Sequence, residues 1–466
     1  MIEAGIDSLD LVVFLNWIKD SLIERGDVDL ATRVNPRLLS AIAIRDLFAV
    51  VRHFESAPYL AGQMLSKTVS EAYDARLVEE QARMSADKDY KVVDRRTPAT
   101  AIQSIGCLVT GGTGFLGPYL IDALLRQTEG NLSVLVRGMS ESQARQRLSR
   151  LFFENVTDNA QQTAFEKRVN VVLGDLEVPN FGLDSVGWQN LAERADAIYH
   201  NGAMVNYLHT YDTMHAANVA GTAEVLRLCF EGRHKVLNYI STTFIFGWAS
   251  SDFLNETDCN PAMDKLDFGY SQTKWVAEQK VLSAMENGLD ARVFRPALIT
   301  PAMNGGGGNL DITIRLLSFM IKHRLGVTAG NQVSFMPADI TADNIVAIAQ
   351  GDDTLGQTFH VVRDELETME MITSIIAQKT GTPFEMLDLP AFVQQVIRRC
   401  TRADPLYPLL DFLVDSVDNI SSMEFKRYQS TAYQAARTNA VHAHPDPTLE
   451  IVIDGILRFL NNRKLL

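Results

Sequence analysis

The sequence predicts an α/β fold: a doubly wound parallel sheet with helices on both faces, followed by a smaller helix-rich region and preceded by a helical segment. Two observations carry this expectation. From about residue 105, short apolar runs at 107–110, 132–136, 169–173, 197–200, 236–240 and 292–294 alternate with helical patterns. Their spacing of about 20 to 40 residues fits strand–helix–strand units, whose parallel strands need helices on both faces of the sheet. In addition, the run CLVTGGTGFLGPYLIDALL places a strand, a turn carrying Gly111, Gly112, Gly114 and Gly117, and a helix in immediate succession. Both GxxGxxG and GxGxxG can be read in that turn, which is the strand–turn–helix signature of a Rossmann-type sheet.

Ahead of the sheet, residues 1 to about 58 read as helices: Leu9, Val12, Val13, Leu15 and Ile18 trace one apolar stripe and 38–54 traces another. Residues 59–100 are rich in Ala, Glu, Asp, Lys and Arg, carry no β pattern, and read as a helical linker ending near Pro98. The Rossmann-type domain takes 101–300. Beyond it, 310–325, 369–380, 390–399 and 449–459 read as helices of a C-terminal substrate region, 301–466, with one strand at 358–362 returning to the sheet. Arg295-Pro296 stands at the threshold of that region. The glycine run 305–308, the one low-complexity spot in the chain, reads either as a mobile stretch framing a substrate channel or as an idle surface loop.

Composition narrows the function. The 466 residues are 46% hydrophobic and 21% charged, a globular profile. A net charge of −14, from 43 basic and 57 acidic residues, argues against a nucleic-acid partner, which needs a clustered excess of Lys and Arg. It also disfavours adhesion to an anionic membrane. Cys107, Cys229, Cys259 and Cys400 are scattered and form no CxxC or Cys/His cluster, which argues for a reducing compartment and against a metal site. MIEAGIDSLD is acidic where a signal peptide is basic, and no stretch reaches the roughly 18 apolar residues of a membrane span. A cytoplasmic protein is expected.

The glycine turn allows close approach of backbone to a pyrophosphate, and the helix N-terminus beyond it offers unpaired N–H groups and the positive end of a dipole. Gly111, Thr113, Gly114, Phe115, Leu116 and Gly117 are therefore the expected dinucleotide cradle. At the end of the second strand, where a carboxylate selective for the NAD ribose would stand, the sequence has Arg137, with Arg145 and Arg147 close behind. A guanidinium there suits a 2′-phosphate through a charge-assisted bond of about 1.5–3 kcal/mol, so NADPH is the expected cofactor. Asp175 and Leu176 follow the third strand, where an Asp side chain can bond the adenine. Asn201, in HNGA after the fourth strand, is expected beside the nicotinamide-side phosphate and ribose. His200 reads as a packed strand residue, and Asn218 either braces the catalytic helix or lies on a helix surface.

YSQTK at 270–274 sets Tyr270 and Lys274 four residues apart, on one face of a helix. An ammonium beside a phenol of pKa about 10 lowers that pKa and makes the hydroxyl a better proton donor near neutrality. Lys274 can also bond the nicotinamide ribose. The pair gains specificity from its place, about 150 residues after the glycine turn and after a strand ending in Ser241-Thr242-Thr243. A hydroxyl at that strand end can polarise a carbonyl and stabilise an oxyanion. Thr242 is the expected one, with Ser241 and Thr243 as alternatives.

TGGTGFLG, STTFIFG, YSQTKW and FRPALI, in that order, resemble the extended short-chain dehydrogenase/reductase superfamily. Within it, LVRG with ARQRL, NYISTTFIFG, YSQTKWVAEQ, PADITADNIVAIA and DPLYPLLDFL are similar to the thioester reductase domains of nonribosomal peptide synthases, polyketide synthases and carboxylic acid reductases, over about residues 104–466. GIDSLDLVVFL resembles the phosphopantetheine-attachment motif of carrier proteins. Only six residues precede Asp7, so the segment is read as part of such a carrier. The resemblance implies a 4′-phosphopantetheine arm on Ser8 and an acyl or peptidyl thioester on a carrier domain, delivered by upstream synthase modules. It further implies NADPH-dependent reduction supported by Thr242, Tyr270 and Lys274, giving an aldehyde or, after a second cycle, an alcohol. Asp7 and Ser8 can alternatively be a plain helix cap, and two rival readings stand beside the reductase. One is an extended reductase, epimerase or dehydratase acting on a free small molecule such as a nucleotide sugar; the other is a non-catalytic NADP-binding sensor.

Overall fold

A computed structural model of the chain describes residues 58–97, 106–207, 209–247, 253–259, 268–307, 310–410 and 427–466, with positions 52, 266, 413 and 420. The expected carrier-like segment, Ser8 included, lies outside the described residues apart from positions 52 and 58.

Seven strands form one parallel sheet: β1 (Gly106–Thr110), β2 (Leu132–Val136), β3 (Val169–Leu173), β4 (Ala195–His200), β5 (Val236–Ile240), β6 (Ala291–Pro296) and β7 (Thr358–Val361). Their spatial order is β7-β6-β5-β4-β1-β2-β3, and every neighbouring pair is parallel. All seven fall on the apolar runs predicted from sequence, because strands covered on both faces read as unbroken hydrophobic stretches; β2 is buried along its whole length. Chain order reverses between β1 and β4. Ligands of such sheets bind beyond the carboxyl ends of the strands at that switch point.

The helices covering the sheet are α2 (Gly117–Gln127), α3 (Glu141–Asn155), α4 (Asn159–Arg168), α5 (Ser185–Arg194), α6 and α7 (Gly269–Glu286). Helix α6 runs through Tyr211–His215, a π turn at Ala216–Ala220, and Gly221–Cys229. Side chains of Ser140, Asp158, Asp184 and Thr210 each accept a backbone N–H at a helix start, which fixes where these helices begin. The predicted linker helix, α1 (Pro58–Asp87), packs on the domain: Gln272 donates to Glu80 at 2.9 Å, the Tyr211 hydroxyl donates to Asp87 at 2.8 Å, and Arg83 pairs with Asp212.

The chain after residue 301 divides in two. Helices α9 (Ala338–Ala349) and α12 (Thr431–Asn439), with β7, complete the layers of the sheet; Arg126 of α2 pairs with Asp343 of α9. Helices α8 (Ile312–His323), α10 (Met369–Thr380), α11 (Leu389–Arg399) and α13 (Leu449–Asn462) bury a separate core that includes Leu317, Phe319, Ile372, Phe392 and Ile453. Glycines 305–307 of the run are packed, contrary to the mobile reading. A Cβ on Gly305 would stand 2.6 Å from that of Arg458, and one on Gly306 would stand 2.5 Å from the Tyr119 hydroxyl. The Gly307 carbonyl accepts from Arg463 at 2.8 Å. No helix among the described residues is long and apolar enough to cross a membrane.

At the threshold of the C-terminal region, Pro296 lines the pocket beside the sheet while Arg295 is buried. Arg295 meets Glu278 of α7 at 2.6 Å, the two side chains being 1% and 0% exposed. Its remaining N–H groups reach the Glu256 carbonyl at 3.1 Å and His360 Nε2 at 3.2 Å. Burial, helped by the Arg295 charge, pulls His360 down to about 3, so the neutral ring can accept that bond. The Glu256 carboxylate accepts N–H groups of His360, Ala432 and Tyr433 at 3.0, 2.7 and 2.9 Å. One buried pair thus ties α7, β6, β7 and α12 together. Replacing Arg295→Met leaves the Glu278 carboxyl in the interior without its guanidinium partner, so urea denaturation should show a loss of about 3–5 kcal/mol, and a loss below about 1 kcal/mol would contradict this assignment.

Candidate active site

The turn between β1 and α2 is built so that backbone alone faces the switch point. Gly111 takes φ of +71°, and a Cβ there would lie 2.6 Å from the Gly202 nitrogen; one on Gly117 would lie 2.4 Å from the Gly112 carbonyl oxygen. Helix α2 starts without a side-chain cap and with Pro118 in its first turn, leaving its leading N–H groups for an external acceptor. A cleft of about 240 Å³ over this turn gathers Gly111, Thr113, Gly114, Arg137, Arg147, Asp175, Leu176 and Asn201. A Gly-lined backbone, free N–H groups and two guanidiniums fit a dinucleotide phosphate chain.

Arg137 is 57% exposed and leans on Glu177 at 3.1 Å. With Arg147 and Arg150 it borders an outer cleft. Arg150 was missed in the sequence reading, although it lies one turn from Arg147 on the same face of α3. Arg145 does not join them: it pairs with Glu166 at 2.6 Å and stacks over Phe165. Phe115 and Leu116 face a neighbouring pocket, and Gly117 packs under the turn.

That neighbouring pocket, of about 310 Å³, shares Gly114, Asn201 and Ala203 with the first, so the two form one groove. It brings together Thr242, Tyr270 and Lys274 with apolar walls from Phe115, Tyr207, Phe244, Leu298 and Ile314. Of the three candidate hydroxyls, Thr242 bonds Tyr270. Ser241 donates to the Glu278 carboxylate, and Thr243 bonds Tyr428.

The electrostatics invert one expectation. Burial pushes the Tyr270 phenol up to about 12, with the Thr242 hydrogen bond opposing. Lys274 is pulled down to about 7 by burial, against the attraction of Glu278. Its Nζ donates to the Tyr239 hydroxyl at 2.8 Å and the Ile240 carbonyl at 2.9 Å, not to Tyr270. Desolvation outweighs the anticipated help from the ammonium, and Tyr270 is held in its protonated, donor form.

His200 is packed as expected, with both ring nitrogens bonded to threonine hydroxyls. Asn218 sits in the π turn and braces α7: its amide donates to Thr273 at 2.9 Å and to the Met204 carbonyl at 3.0 Å. Tyr207, Phe244 and Asp311 were missed. Asp311 caps α8 through Ile314 N–H at 2.8 Å, and burial raises it to about 6. A cap before an apolar helix was the readable signal there; the two aromatics carried none.

Fold and groove together define an oxidoreductase of the short-chain dehydrogenase/reductase type that binds a nicotinamide dinucleotide. Residues 109–345 match the NAD-binding family described as male sterility protein, and the chain belongs to that family. It is 31% identical over 408 residues to L-2-aminoadipate reductase of Saccharomyces cerevisiae, covering 84% of this chain and 26% of that protein. It is 30% identical over 294 residues to a component of linear gramicidin synthase from Brevibacillus parabrevis, covering 62% of this chain and 6% of that protein. The chain therefore spans about a quarter or less of those relatives' own lengths. The terminal R domain of the myxalamid PKS-NRPS biosynthetic pathway superposes with a TM-score of 0.75 at 27% identity, covering 83% of this chain and 98% of that one.

Proposed function

We propose that the chain carries out NADPH-dependent reductive release of an acyl or peptidyl thioester held on a carrier domain, giving an aldehyde and a free thiol. The observation that carries this reading is the continuous groove, in which a dinucleotide cradle opens directly onto Thr242, Tyr270 and Lys274 at the floor of an apolar pocket. Apolar walls suit an acyl chain. A nucleotide sugar brings a diphosphate, and in this pocket Lys274 is the one cation and Asp311 the one carboxylate among the described lining residues. Similarity to linear gramicidin synthase and to the myxalamid terminal domain supports the same reading. Ser8, by its motif, would carry the phosphopantetheine arm.

Gly111, Thr113, Gly114, Arg137 and Arg147 would hold NADPH, which when bound would supply a hydride. Thr242 and Tyr270 hold the thioester oxygen, and Tyr270 gives it a proton as the carbonyl carbon is reduced. Lys274, one turn along α7, places positive charge on the side where the phenolate forms. The product of that step is a hemithioacetal. Its C–S bond then breaks, its hydroxyl proton passes to sulfur, and the aldehyde leaves. Tyr270 recovers its proton from solvent. Arg137 and Arg147 at the cradle's outer end are assigned to the 2′-phosphate.

Tyr270→Phe should lower NADPH consumption on a panel of acyl-pantetheine thioesters by about a hundredfold or more, while the unsubstituted protein yields aldehyde by mass spectrometry. Tight NADPH binding without turnover of any thioester would move the assignment to a free small molecule. In fluorescence titration, Arg137→Ala with Arg147→Ala should weaken NADPH by about ten- to a hundredfold and leave NADH almost unchanged. Equal losses for both nucleotides would remove the arginines from the 2′-phosphate.

A further inference from the structure

Thr222 follows the π turn of α6, is 1% exposed, and lines neither part of the groove. Its hydroxyl donates to the Asn218 carbonyl at 2.6 Å. With that proton committed, the oxygen accepts from His200 Nε2 at 2.9 Å; the Tyr239 phenol, which also bonds Ser241, is its other neighbour. His200 Nε2 must then carry a hydrogen. Burial, with the nearby Lys274 charge, pulls this imidazole down to about 3, so the ring is neutral and Nδ1 is an acceptor. Thr110 donates to it at 2.7 Å and in turn accepts the Gly202 N–H at 2.9 Å. Gly202 lines the dinucleotide cleft, beside Asn201, whose amide donates to the Gly111 carbonyl at 3.2 Å. On the opposite side, Tyr239 accepts from Lys274, and Asn218 donates to Thr273, the residue before Lys274. With the Thr222 proton on the Asn218 carbonyl, the His200 and Thr110 bonds take these directions.

We propose that Thr222 is a positioning residue, the hub of a directed hydrogen-bond chain that joins the floor of the dinucleotide cleft to the helix carrying Tyr270 and Lys274. One arm runs through His200 and Thr110 to Gly202. The others run through Asn218 to Thr273 and through Tyr239 to Lys274. The chain holds the Lys274 ammonium between Tyr239 and the Ile240 carbonyl and sets the π turn against α7. Polar networks of this kind specify geometry when fully satisfied and fail when one member is lost. Thr222→Val keeps the shape but removes the acceptor for His200 and the donor to Asn218. Thr222→Ser keeps both.

The kinetic consequence rests on the reductase reading; the chain itself does not. Long-range ¹H–¹⁵N correlation on the full protein labelled at histidine, with His200→Gln for assignment, should show His200 as the neutral Nε2–H tautomer at neutral pH. The Nδ1–H tautomer or an imidazolium would overturn the proposal. With an accepted acyl thioester, Thr222→Val should lower kcat about tenfold or more while the Kd for NADPH stays within about threefold, and Thr222→Ser should retain both within about threefold. Wild-type kcat in Thr222→Val, or equal losses in the two variants, would also overturn it. If Thr222→Val does not fold, the tautomer and the Thr222→Ser rates still decide. Failure of the unsubstituted protein on every thioester would sink the reductase reading alone, leaving the tautomer to decide the chain.

Discussion

The buried pair between Arg295 and Glu278 is the constraint on which the site depends. Glu278 lies one helical turn past Lys274, and its carboxylate takes the Ser241 hydroxyl as well as the Arg295 guanidinium. That bond commits the Ser241 hydroxyl to Glu278, so of the groove-lining hydroxyls the next residue, Thr242, is the one that meets Tyr270. The same carboxylate attracts the Lys274 ammonium, opposing the desolvation that burial imposes. A buried ion pair is a weak source of net stability, because desolvation offsets most of the Coulomb energy. Its effect here is geometric: it fixes the register of a strand end against a helix, and through Glu256 and His360 it anchors α12, which lies far along the chain.

A second layer of order comes from hydroxyl groups. The groove needs backbone at the phosphate end and side-chain oxygens at the reacting end. The Thr110, His200, Thr222 and Asn218 contacts run beneath both, in a buried setting where each polar group must find a partner. The π turn in α6 fits this arrangement. It shifts the helix so that Asn218 faces Met204 and Thr273, and such turns are frequent at functional sites.

Much of this was readable in the sequence, for a physical reason in each case. Parallel strands buried on both faces stand out as short apolar runs, so all seven were found. The glycine turn was legible because its conformation and close contacts exclude side chains. Tyr270 and Lys274 share a helix face by spacing alone. What escaped depends on tertiary packing. The upward shift of Tyr270 reflects burial against Phe244 and Tyr207, which come from distant segments. Arg295 could be placed at the start of the C-terminal region by sequence, but its buried partner Glu278 is set by the packing of β6 on α7. Arg145 and Arg147 differ by two residues and therefore by roughly 200° around α3, which sends one to Phe165 and the other to the cleft. The glycine run at 305–307 is small because Tyr119, Phe115 and Arg458 press on it, and low complexity alone could not distinguish that from mobility.

In the proposed reaction, hydride reaches the carbonyl carbon of a thioester lying in the groove beside Tyr270. Its most direct test uses NADPH deuterated at the transferred position, the full chain, and an acyl thioester, with mass spectrometry of the released product. The account predicts an aldehyde with deuterium on its former thioester carbon and an equivalent amount of free thiol. Thiol release without deuterium in the product would indicate hydrolysis and contradict the account.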